Sequence, residues 1–157
     1  MTSPIAPLRS LPASIHFIPS FNLIPNISLQ NYPLIMYHEC FPQSNSAATI
    51  KAHLRFVGVV EPRLYSTTYF HSITNKLCFG GEDNPGRVEA EGKRGDVVTV
   101  PAGVGRGLLQ DLDGRFEMDM CYGREGEKTK IDSIKDLGWF DKNPIYGYAL
   151  RVVHGGV

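Results

Sequence analysis

The stretch that decides the fold is Gly95-Asp96-Val97-Val98-Thr99-Val100-Pro101-Ala102-Gly103-Val104-Gly105-Arg106. Gly95-Asp96 is a turn signal that leads into Val97-Val98-Thr99-Val100, a run dominated by β-branched residues and suited to a sheet. Pro101-Ala102-Gly103 ends that run and turns the chain toward the next strand. The stretch is glycine-rich at its end, but it opens no helix. It also lacks the lysine and Ser/Thr of a phosphate-binding loop.

The same punctuation extends outward. Residues 51–60, 64–72, 76–79, 87–91, 96–100, 107–112 and 116–122 are candidate strands, most of them rich in Val, Thr, Tyr and Phe. Gly80-Gly81, Asn84-Pro85-Gly86 and Asp113-Gly114 mark turns between them. Glu82-Asp83-Asn84 does not have calcium-loop spacing and belongs to one of those turns. Short strands at regular spacing predict an all-β sandwich or barrel. One short helix is predicted near the C-terminus, where Ile131, Ile134 and Leu137 share a face. Thr129 or Asp132 would start it and Gly138 would stop it.

Proline and glycine divide the chain. Seven of the eleven prolines lie at or before Pro42, and all sixteen glycines lie at or after Gly58. The organisation predicted is a Pro-rich N-terminal arm over 1–45 and a β domain over 46–157. Short apolar pieces at 15–18 and 34–37 would add edge strands, where proline is tolerated at a strand start.

Lys plus Arg and Asp plus Glu each number 16, so the net charge is zero. That argues against a nucleic-acid or anionic-membrane partner, either of which favours a basic face. No apolar run is long enough for a signal peptide or a spanning helix, which predicts a cytoplasmic protein. Cys40, Cys78 and Cys121 are odd in number and contain no CxxC pair. They do not make a disulfide framework and suit a reducing compartment.

Residues 95–106 resemble the second motif of the cupins: glycine, five residues, proline, any residue, glycine, two residues, histidine. Gly95, Pro101 and Gly103 match in register. The run from Leu77 to Val88, Asp119-Met120-Cys121-Tyr122-Gly123 and Asn143-Pro144-Ile145-Tyr146-Gly147 are similar to further pieces of fungal and bacterial single-domain cupins. The resemblance spans about residues 65–147 and implies a jelly-roll β-barrel and a homodimer. It also implies a metal held by three histidines and a glutamate.

That ligand set does not carry over. Tyr69-Phe70-His71-Ser72 resembles the family's first H-x-H segment with tyrosine in the first ligand position and His71 in the second. Asn75 and Lys76 stand where the glutamate falls, and Arg106 stands where the third histidine falls. Guanidinium stays protonated and is a poor metal ligand. The expectation is a cupin without metal or other cofactor, with an unusual site using His53 or Glu117 as the alternative. The segment between His71 and Leu77 is also shorter than in the family. Either this is a pared-down cupin or a piece of the sequence is missing.

A pocket in such a barrel would be lined by Tyr69, His71, Arg106, Tyr65, Tyr122 and Glu117. His71 titrates near neutrality and suits general acid–base work, with Tyr69 supplying or returning a proton. Arg106 suits bidentate binding of a carboxylate, phosphate or enolate. The set resembles metal-free cupins that isomerise or cyclise small molecules, as in fungal natural-product biosynthesis. Two other functions stand beside it: a metal-dependent cupin dioxygenase or isomerase, and a non-catalytic small-molecule-binding cupin. His71 also fits a structural role, and Arg106 a rim ion pair with Asp111 or Glu117. His16, His38, His53 and His154 carry no motif.

Overall fold

The computed structural model describes residues 5–7, 10–19, 21, 32–57, 65–70, 74–101, 103–112, 118–121, 143 and 145–147. Eight strands and one helix follow in chain order: β1 (Ala13–His16), β2 (Leu34–Tyr37), α1 (Ala47–Val57), β3 (Tyr65–Phe70), β4 (Thr74–Phe79), β5 (Val88–Lys93), β6 (Val97–Pro101), β7 (Arg106–Asp111) and β8 (Met118–Cys121). The strands form two antiparallel sheets, one in the order β1-β2-β6-β3-β8 and one in the order β5-β4-β7. The described residues are thus mostly β-sheet with one short helix. Among the described residues no ladder joins the two sheets, so the observed arrangement is open where a closed barrel was expected.

The strands expected from 64–72 onward all appear, with ends moved by at most two residues. The exception is 51–60, where α1 stands instead of a strand. Its stripe is Ile50, His53, Leu54 and Val57, the i, i+3, i+4, i+7 spacing of an amphipathic helix. Ser46 caps it, its Oγ accepting from Thr49 N at 3.2 Å. That stripe, with Ala47, Ala48 and Ala52, favours helix over the strand expected at 51–60. The helix expected over 131–137 lies outside the described residues.

β2 is not an edge strand. It pairs with β1 on one side and β6 on the other, and all four of its residues are buried. The reason lies in three layers. Ile35, Tyr37 and Val97 face α1, packing with Ile50, Leu54, Cys40, Phe41 and Ile145. Leu34, Met36, Val98 and Val100 face the smaller sheet, packing with Leu77, Phe79 and Ile18. A strand covered on both faces is apolar throughout, as Leu34-Ile35-Met36-Tyr37 is.

The segment 95–106 sits at the centre of this arrangement. Gly95 has φ +96°, and a Cβ there would meet the Phe41 carbonyl oxygen at 2.2 Å. Its own carbonyl accepts from Phe41 N at 2.9 Å. The Asp96 carboxylate is buried and accepts from Glu39 N (2.8 Å) and Lys93 N (2.9 Å). It thereby closes the β5–β6 turn and holds Glu39, which has φ +54°. After β6 the chain turns and crosses to the other sheet, where Gly80 N donates to Gly105 O at 2.8 Å.

Candidate functional site

Arg106 opens β7, partly buried and opposite Phe79 of β4. Residues paired across an antiparallel ladder lie on one face. Arg106 is therefore on the face of β7 that Phe79 presents to the apolar layer between the sheets. Tyr65 and Tyr69 belong to β3, opposite Pro101 and Val97. Tyr69 and Arg106 are thus in different sheets. His71, Glu117 and Tyr122 lie outside the described residues. The space between the described parts of the sheets is filled by Ile18, Leu34, Met36, Leu77, Phe79, Val98 and Val100.

His53, the alternative metal ligand, has a structural task. Its Nε2 lies 2.7 Å from Ile145 O, and its ring meets Phe41 edge-on at 5.6 Å. The contact ties α1 to Ile145, whose neighbour Asn143 is held by its Nδ2 donating to Tyr37 Oη at 3.1 Å. Among the described residues no three His, Cys, Asp or Glu side chains gather as a metal-holding group. The fixed cation Arg106 does not fit the ligand set that the cupin resemblance implies. Asn84 is likewise a turn residue, its Oδ1 accepting from Gly86 N at 2.8 Å and its Nδ2 donating to Pro19 O at 3.2 Å.

Cys40 and Cys78 are free and buried. Burial pushes the Cys40 thiol up to about 12, against a hydrogen bond to Tyr146 Oη that lowers it. Burial also raises Cys78. Neither has the lowered pKa of a reactive thiol. The Tyr37 hydroxyl, buried beside Asn143, is likewise raised to about 12 by desolvation.

Two further features emerge that sequence reasoning passed over. One is an open groove of about 540 Å³ lined by Ile5, Ala6, Glu39, Phe41, Pro42, Gln43 and Arg94. The other is a row of three polar side chains. Ser14 Oγ lies 2.8 Å from His38 Nε2, and His38 Nδ1 lies 3.8 Å from Asp96 Oδ2. Only the register of β1, β2 and β6 brings positions 14, 38 and 96 together, so no local motif announces them. Comparison of the chain with protein-family models, with curated proteins and with solved structures found no match in any of the three.

Proposed function

We propose that this chain is a jelly-roll protein of cupin type that binds a small anionic or carbonyl-bearing molecule and rearranges it without a metal, by proton-transfer isomerisation or cyclisation. The strand pairing supports the jelly-roll part. β3 pairs with β8 and β4 with β7, so one pair is nested in sequence inside the other, each in its own sheet. The observation that carries the site is Arg106, a fixed cation half-buried on the face of Phe79, in the position where the family's histidine stands. A guanidinium there binds a carboxylate or enolate through two parallel hydrogen bonds. In this reading His71 moves the proton and Tyr122 and Glu117 complete the lining, while Tyr65 and Tyr69, paired with Pro101 and Val97, fall on the α1 side of the larger sheet and drop out of the set.

The test is hydrogen exchange. A panel of 2-oxo and 3-oxo carboxylates is incubated with the full chain in D2O and the C–H signals are followed by proton NMR. The expected result is accelerated exchange of at least one compound. His71→Ala should lower it ~100-fold or more, the usual scale of general acid–base catalysis. Arg106→Ala should raise the half-saturating concentration. Full activity in both variants overturns the assignment.

One observation favours a second reading. The layer between the sheets is packed with aliphatic side chains and Phe79. A binding protein without chemistry would show ligand-induced shifts and no exchange. No helix among the described residues is long and apolar enough to cross a membrane.

A further inference from the structure

We infer that Ser14, His38 and Asp96 form a nucleophile–base–acid row that makes the Ser14 hydroxyl reactive toward esters of small carboxylic acids. The inference is independent of the role given to Arg106 and His71. Ser14 pairs with Met36, and Met36 pairs with Val98. One step along each ladder, beyond the last paired residues Tyr37 and Val97, His38 comes opposite Asp96. The three residues therefore share the face of the larger sheet that carries Met36 and Val98, at one end of it. His38 N donates to Pro12 O at 2.9 Å, which fixes the start of β1 against the row.

The order of groups is the one nucleophilic catalysis requires. Both imidazole nitrogens are engaged, Nε2 by the Ser14 hydroxyl at 2.8 Å and Nδ1 toward the Asp96 carboxylate at 3.8 Å. The second separation is an ion-pair distance, longer than a hydrogen bond. Catalytic contacts are frequently long before substrate binds. Asp96 is 2% exposed and held by two backbone N–H groups, so its charge is fixed in place. A carboxylate on the Nδ1 side favours the Nδ1–H tautomer, which leaves the Nε2 lone pair toward Ser14. Ser14 and His38 are partly exposed, so a reagent can reach them.

The step is acyl transfer. Ser14 Oγ bonds to the ester carbonyl carbon while its proton passes to His38 Nε2. The carbon–alkoxy bond breaks, and the alkoxide leaves as the alcohol with the proton from His38. Water, deprotonated by His38, then releases the carboxylic acid and restores Ser14.

The row concerns the nucleophile, so the test reads acylation rather than turnover. The full chain is treated with a fluorophosphonate and, separately, with p-nitrophenyl acetate. Adducts are followed by intact mass and located by peptide mass spectrometry. The expected result is one adduct, on Ser14, absent in Ser14→Ala. In His38→Gln, which keeps a polar partner for Ser14, labelling should slow ~100-fold. In His38→Ala, added imidazole should restore part of the rate. Circular dichroism confirms that each variant is folded. No adduct on Ser14 in the wild type, equal labelling of other serines, or an unchanged rate in His38→Gln would each overturn the inference.

Discussion

Gly95 and Asp96 do at residue level what the sequence pattern shows only as a turn. Gly95 combines a left-handed φ with a backbone carbonyl where its Cβ would be. Both terms oppose any side chain, and backbone cannot yield as a flexible side chain can. Gly95→Ala should therefore lower the unfolding free energy by at least ~2 kcal/mol, measured by urea denaturation. A change under half of that would mean the β5–β6 turn and the Phe41 segment can separate cheaply. Cys40 supports a prediction on pH. Burial pushes its folded pKa up to about 12, above the ordinary thiol value of 9.0. In that window the unfolded chain has lost a proton that the folded chain keeps, so stability falls as pH rises. The loss begins near pH 9 and grows toward pH 12, by about 1.4 kcal/mol per pH unit for one such group. Tyr37 adds to it above pH 10 by the same sign. Urea midpoints taken from pH 8 to 10 should fall less steeply in Cys40→Ala than in the wild type.

The elements carry a different lesson. α1 was legible, since Ser46 followed by the stripe of Ile50, His53, Leu54 and Val57 is a helix signature. Phe56, near its end, is 90% exposed and lies off that stripe. Ser46→Ala removes the acceptor for Thr49 N and should cost ~1 kcal/mol, with a matching fall in the thermal midpoint of the far-ultraviolet helical signal. No measurable change would show that packing of Ile50 and Leu54 alone holds the helix start. β2 was found in sequence at its observed bounds and given an edge position because prolines surround it. Its four buried residues are instead those of a strand covered on both faces. Proline at 33, just before the strand, removes no hydrogen bond that the ladder between β2 and its neighbours needs.

At the scale of the whole molecule, the larger sheet separates two apolar clusters, one under α1 and one against the smaller sheet. Two described segments far apart in sequence, around Ala6 and Tyr146, meet beside it. Tyr146 Oη donates to Ala6 O at 2.8 Å, and Ala6 N donates to Cys40 O at 2.9 Å. Among the described strands β7 is an edge of the smaller sheet, and it exposes Leu108 and Leu109. An edge strand with exposed leucines is a surface for self-association, in keeping with the dimer that the cupin resemblance implies. Sedimentation velocity should show a dimer that Leu108→Glu with Leu109→Glu converts to monomer. A monomeric wild type removes the dimer from the proposal.

What the sequence determined by itself was local: the strands from residue 64 onward to within two residues, the turn at Gly95-Asp96 and the stop at Pro101. Those features depend on backbone propensity and two-residue alternation, which act over a few neighbours. Only the tertiary structure decided that β2 is interior, that β7 crosses to the second sheet, that His53 is a structural tie, and that Tyr69 and Arg106 belong to different sheets. It alone brought Ser14, His38 and Asp96 together. Register between strands distant in sequence is set by which faces must be buried, and that is a property of the packed layers rather than of any one segment.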